Sequence, residues 1–276
     1  MPTQTYPARL HVLLASQAPQ ALIIRRGPAK QVATIGWNRK TDTFTLGQWL
    51  KGRIYEHECD LSPDGKYFLY SAIDHKGKQT WTALSRAPYL KALDFYTKDF
   101  PVISGGLFTS NKTYCICAEH FNSYQYKKSN LLVSINNQIQ PSSYQEEVSA
   151  TIEHRLTKNG WKKEQIETIP NKHTSDAIYS KRINDHWQLI KLNHYNYLEH
   201  LPGKGSFYET HQLLNTKTDE RIDLPYWEWA DIDRHRLVWA EQGKLMAGTV
   251  NNKGLTNIKE LFNFNDMKFE ATIAPY

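Results

Sequence analysis

Short β-branched and aromatic runs recur along this chain, each broken by a turn signal after four to eight residues, and this rhythm restricts the fold more than any other feature. Four runs, at 10–15, 21–25, 31–37 and 43–46, are broken at Gln17-Ala18-Pro19, at Gly27-Pro28 and at 38–42. Four more, at 54–61, 66–73, 79–85 and 91–96, are broken at Ser62-Pro63-Asp64-Gly65, at 74–78 and at Arg86-Ala87-Pro88. Each set fills roughly forty residues, near the period of a four-stranded propeller blade.

Weaker repeats follow. Residues 106–118 and 230–240 can both be laid over 60–72: a strand, a polar turn, then a strand that ends in a small residue. That equivalence predicts burial of Phe68, Tyr70, Ile116, Leu237 and Trp239. Hairpins are expected at 152–167, turned at Lys158-Asn159-Gly160, and at 178–192, turned at Asn184-Asp185. A third joins 208–214 to 220–224. For 144–156 a helix capped by Ser142 or Ser143 is the alternative. No Pro/Ser/Gly-rich linker divides the chain. At about 45 residues per blade, 276 residues make about six units, and degenerate middle repeats allow five. The expectation is one all-β domain over 1–276, a β-propeller of five or six blades. Its ring would close through the strand at Leu10 or through 267–273. A β-sandwich is the runner-up.

The segment 61–72, which carries the Ser62-Pro63-Asp64-Gly65 turn, resembles the repeat of TolB-type propellers, where such a turn joins two strands of a blade. Further blocks resemble a family of uncharacterised bacterial proteins. They include Arg25-Arg26-Gly27-Pro28, Gly52-Arg53-Ile54-Tyr55-Glu56, Gly105-Gly106-Leu107-Phe108 and Trp229-Ala230-Asp231. That resemblance implies bacterial origin and a single unit of about this length. It implies no activity, so no catalytic residue is carried over.

Composition narrows the class. Aromatics reach 12%, which argues against disorder. Three cysteines cannot all pair internally, which argues against a secreted disulfide scaffold. Cys115 and Cys117 read as small buried hydrophobes. The first apolar run is interrupted by His11, no basic stretch leads into it, and no run reaches bilayer length. A reduced, cytoplasmic protein with no membrane segment is expected.

The chemistry-bearing motifs are sparse. No phosphate-binding glycine loop is present, and Gly203-Lys204-Gly205-Ser206 reads as a turn. There is no Gly-x-Ser-x-Gly elbow and no room for a hydrolase domain beside a propeller. His57 and Cys59, with Glu56, Glu58 and Asp60, lack a metal-ligand spacing, as do His194, His200 and His211 with Glu199 and Glu209. Both groups read as surface loops. Asp231 and Asp233 read as solvated or turn-capping acids, because acids on one strand cannot flank a scissile bond. No cofactor and no metal are expected.

The formal charge is 34 − 28 = +6. Basic pairs such as Arg25-Arg26, Arg39-Lys40, Lys127-Lys128 and Lys162-Lys163 are scattered among acids, which argues against nucleic acid. Eight residues near strand ends have the types that dominate protein interfaces: Arg25, Arg26, Arg53, Tyr55, Arg86, Tyr89, Trp227 and Trp229. They define the candidate partner face. The functional expectation is a non-enzymatic module that binds an acidic protein partner, with a toxin-neutralising immunity protein as one concrete form. The alternative is an enzyme acting on a small or glycan substrate at the propeller mouth.

Overall fold

A computed structural model of the chain describes residues 6–27, 30–74, 76, 79–98, 105–116, 123–127, 129, 132–133, 144–164, 177–195 and 207–276. Two compact units emerge from its internal contacts. Met1–Pro7, His11–Arg155 and Met267–Tyr276 form the first, and Ala8–Leu10 with Leu156–Asp266 form the second. Strands dominate, and the described sheets are open.

The first unit opens with β1 (Arg9–Leu14), β2 (Gln20–Arg26), β3 (Gln31–Asn38) and β4 (Thr43–Ile54), paired in sequence order. After a 3-10 turn at Glu56–Glu58 come β5 (Asp60–Leu61), β6 (Tyr67–Asp74), β7 (Thr80–Arg86) and β8 (Ala92–Lys98). The first set of four and the last three strands of the second set are therefore present, and β4 joins them into one sheet. Its residues up to Lys51 pair with β3, while Gly52, Arg53 and Ile54 pair with Asp74, Ile73 and Ala72 of β6. The expected strand at 54–61 is corrected to a 3-10 turn and a two-residue strand. Glu58 N–H bonds Tyr55 O at 2.9 Å, closing the turn instead of extending the ladder.

The Ser62-Pro63-Asp64-Gly65 motif makes the β5–β6 turn by its own polar atoms. Ser62 Oγ donates to Asp64 Oδ1 at 2.7 Å and accepts Tyr67 N–H at 2.9 Å. Gly65 N–H bonds Ser62 O at 2.8 Å with φ +73°, where a side chain is strained. Beyond the turn, β6 is covered on both faces. Phe68 and Tyr70 enter a core with Leu13, Leu22, Leu61 and Val32. Leu69, pointing the other way, enters a second core with Leu84, Phe108 and Tyr114. That second core is supplied by β9 (Gly106–Phe108) and β10 (Thr113–Ile116), with β12 (Leu132–Val133) parallel to β10. Strand β11 (Ser123–Lys127) pairs with β8.

Helix α1 (Tyr144–Lys158) corrects the expected hairpin at 152–167, and its start at Ser142 or Ser143 lies outside the described residues. The Asn159-Gly160 pair is a helix stop. Trp161 N–H bonds Leu156 O and Gly160 N–H bonds Thr157 O, both at 3.0 Å, with Gly160 at φ +83°. This is a Schellman closure, in which Gly takes the left-handed position. Ile152 and Leu156, four apart on one side of the helix, are buried.

In the second unit, β13 (Lys162–Lys163), β14 (Ala177–Arg182), β15 (Trp187–Tyr195), β16 (Phe207–Asn215) and β17 (Arg221–Leu224) form an antiparallel sheet in that order. The hairpins expected at 178–192 and at 208–224 are both there, with Ile178 opposite Leu192 and Leu213 opposite Ile222. A four-stranded meander follows: β18 (Trp227–Asp233), β19 (Arg236–Glu241), β20 (Lys244–Asn251) and β21 (Gly254–Asn263). Leu237 and Trp239 are buried there, as Phe68 and Tyr70 are in the first unit. Ile116, at the end of β10, is only half-buried, and its neighbours Tyr114 and Cys115 take the interior positions. Cys117 lies outside the described residues.

Candidate functional site

The exposed cationic and aromatic group of the first unit forms where β4 leaves the sheet. Arg53 is the last but one residue of β4, and Tyr55 follows the strand's end. The exposed Arg53 guanidinium sits 4.6 Å above the Tyr55 ring. Burial pushes the Tyr55 phenol up, and the Arg53 charge opposes that shift. Beside them Arg26, at the end of β2, forms an ion pair with Glu56. Burial alone would raise the Glu56 carboxyl. Arg26, His57 and Arg53 outweigh burial and hold it far below the usual carboxylate range. From α1, the Arg155 Nη1 group donates to the carbonyls of Cys59 and His57 at 2.6 and 3.1 Å, which fixes the corner from below.

The eight candidates do not share one exposed face. Arg25, only 1% exposed, donates to Gly27 O and lies 5.4 Å from the Trp49 ring. Arg86 and Tyr89 fall at the other end of the strands. Arg86 is opposite Tyr67 and Ile54 is opposite Ala72, so the two groups stand about 17 Å apart along β6. There Tyr276 organises them: its hydroxyl accepts Arg86 N–H at 3.0 Å and donates to Lys91 O at 2.6 Å. The Arg86 and Lys91 cations each lie 5.3 Å from its ring, and Tyr89 meets it edge-on at 6.2 Å. In the second unit Trp227 and Trp229 are buried, and Trp227 stacks on Trp239 at 4.4 Å. These two tryptophans are packing residues, and removing Trp229 would test the core rather than a surface.

The acids and histidines expected on the surface are also corrected. Glu56, Glu58 and Asp60 are buried, and Asp60 Oδ2 accepts Phe108 N–H at 2.8 Å. In the second unit the β15–β16 register sets Lys191 opposite His211 and Asn193 opposite Glu209, all on one face. Lys191 and Glu209 form an ion pair at 2.5 Å that is almost wholly buried. His211 Nδ1 meets the Trp227 carbonyl at 3.1 Å. A carbonyl only accepts, so Nδ1 carries a proton, while Nε2 stands 3.5 Å from Glu209 Oε2. Burial lowers the His211 pKa and keeps the ring neutral. Trp161 closes the group: Lys191 and Lys181 lie 5.1 and 5.6 Å from its ring. Asp231 accepts from Lys181 at 2.6 Å, and Asp233 accepts from Arg236 at 2.8 Å. These strand acids are paired ions rather than solvated caps. Glu199 and His200 lie outside the described residues, as do Gly203-Lys204-Gly205-Ser206 and Lys128.

No family model matches the chain, and no curated protein matches it. Among solved structures, it is similar to an uncharacterised protein of Listeria monocytogenes at 10% identity and TM-score 0.32, covering 93% of this chain and 66% of that one. The chain thus spans just under two thirds of that protein. It is similar to the β-propeller domain of the trilobed protease from Pyrococcus furiosus at 9% identity and TM-score 0.35, covering 95% of this chain and all of that one. Prolyl oligopeptidase B from Galerina marginata matches at 8% identity and TM-score 0.25, with 88% and 43% covered. Overlaps this loose carry no assignment of blade number, activity or partner. Among the described residues, no helix is long and apolar enough to cross a membrane.

Proposed function

We propose that the chain is a propeller-like, non-enzymatic module that binds an acidic protein partner through the Arg26, Arg53 and Tyr55 corner. In this reading each antiparallel unit is a blade: β1–β4, β5–β8, the group with β9 and β10, β14–β17 and β18–β21. These units make the five-blade form of the reading, with six blades as its alternative, and a repeat like that of TolB-type propellers. A bacterial, cytoplasmic immunity protein that neutralises a toxin is its most concrete form.

The observation that carries the reading is the Arg53 guanidinium resting on the Tyr55 ring at an exposed strand end. Arginine and tyrosine held in place before binding lose little side-chain entropy on association. The +6 charge speeds encounter with an acidic surface, and that effect weakens as salt rises.

The test is calorimetric titration of the purified chain with the product of the neighbouring gene. Arg53→Ala is expected to weaken binding at least tenfold, with the thermal transition unchanged and an association rate that falls with salt. Equal affinity in Arg53→Ala and Tyr55→Ala would overturn the corner as the contact. Turnover of a small or glycan substrate by the protein alone, lost when one acid or histidine is replaced, would restore the enzyme.

A further inference from the structure

In the first unit the ring of His11, from β1, meets the ring of His57, from the 3-10 turn, edge-on. Their centroids are 5.1 Å apart and the planes are inclined at 69°. A ring nitrogen of each lies within 4.8 Å of one on the other. From this pair we infer a binding site for a late first-row divalent metal ion such as Zn²⁺ or Ni²⁺, with His11 and His57 as two of its ligands.

Imidazole nitrogens bind zinc at about 2.0–2.1 Å, so two of them in a tetrahedral shell stand about 3.3 Å apart. The ring nitrogens of the pair stand within 4.8 Å of each other, and any excess over the tetrahedral value would have to be taken up by a turn of the half-buried His57 ring. Imidazole is the donor that suits zinc, nickel, cobalt and copper, while calcium and magnesium take oxygen. The pairing differs from the one that sequence spacing offers. Cys59 is only two residues from His57, but it is fully buried and its Sγ donates to Tyr55 O at 3.2 Å.

Both ligands stand on fixed backbone. His11 occupies a core position of β1, between the buried Leu10 and Val12. His57 sits in the corner whose carbonyls are gathered by Arg155. Arg155 is a positioning residue here and touches no ion.

The test uses the full chain without an affinity tag, stripped with chelator and titrated with ZnCl₂ and NiCl₂ by calorimetry. One ion per chain is expected. His11→Asn and His57→Asn should each weaken binding at least tenfold, while His154→Asn, at an exposed position of α1, should leave it unchanged. Affinity should fall below about pH 6.5 as imidazole protonates. A second readout needs no variant: in nitrogen-15 spectra of the eleven histidines, Zn²⁺ should shift the resonances of His11 and His57. Absence of binding, equal binding in folded His11→Asn and His57→Asn, or shifts confined to other histidines would each overturn the site.

Discussion

Arg155 Nη1 lies 2.6 Å from the carbonyl oxygen of Cys59, 96 residues earlier in the chain. One buried cation thus ties the end of α1 to the corner that carries Arg53, Tyr55 and His57. A hydrogen bond to a charged group contributes about 1.5–3 kcal/mol, and its loss strands carbonyls that water does not reach. Arg155→Met is therefore expected to destabilise the protein by roughly 3 kcal/mol in urea unfolding. A loss below about 1 kcal/mol would show that the corner holds itself.

Trp239 stacks on Trp227 in the second unit, and both rings are buried. Trp239→Ala should cost on the order of 3–5 kcal/mol and lower the melting temperature accordingly. Half-buried Ile116 should cost less than half of that when truncated. An unchanged melting temperature for Trp239→Ala would contradict the equivalence of 60–72 with 230–240.

Two glycines separate conformational strain from collision. At Gly160 an added Cβ meets nothing nearer than Lys181 Cε at 3.9 Å, so Gly160→Ala carries only the cost of the left-handed backbone, about 1–2 kcal/mol. At Gly65 the added Cβ would stand 2.6 Å from Gln20 Cβ, on top of the same backbone cost. Gly65→Ala should be clearly the more destabilising of the two by denaturant midpoint. Equal losses would mean that the turn shifts to make room.

Acid should act in two steps. Burial first, then the Lys191 charge, lowers the His211 pKa, while Glu209 opposes them. The unfolded chain then binds more protons than the folded one, so stability falls as pH drops below about 6.5. The Glu56 pKa is depressed by Arg26, His57 and Arg53 against the burial term. Its contribution is present above about pH 4.3 and is lost as pH falls further, towards the folded value. Urea midpoints from pH 8 to 3 should show both slopes, with His211→Gln removing the first and Glu56→Gln the second. A flat profile between pH 7 and 5.5 would rule out the His211 contribution.

Local chemistry was legible where it decided itself. Ser62-Pro63-Asp64-Gly65 closes its turn with its own hydroxyl, carboxylate and glycine, and seven of the eight runs in the two opening sets become strands. The Asn159-Gly160 pair was ambiguous, because a glycine in the left-handed region serves a hairpin turn and a helix stop equally well. Only the burial of Ile152 and Leu156 on one helix side separates the two.

Charge placement needed the tertiary structure. Glu209, His211, Lys191, Asp231 and Asp233 look like solvent residues in sequence, since nothing in a strand's alternation says which face will be covered. Covering that face removes their water: Lys191 with Glu209, Asp231 with Lys181 and Asp233 with Arg236 survive by meeting an opposite charge from another strand, and His211 by staying neutral. The same holds for His11 and His57, brought together by β1 and a 3-10 turn 46 positions apart in number. Sequence by itself determined the hairpins at 178–192 and 208–224 and the Ser62-Pro63-Asp64-Gly65 turn, because those depend on neighbours within a few residues. Which polar side chains meet was decided by packing, because that depends on strands paired across long stretches of chain.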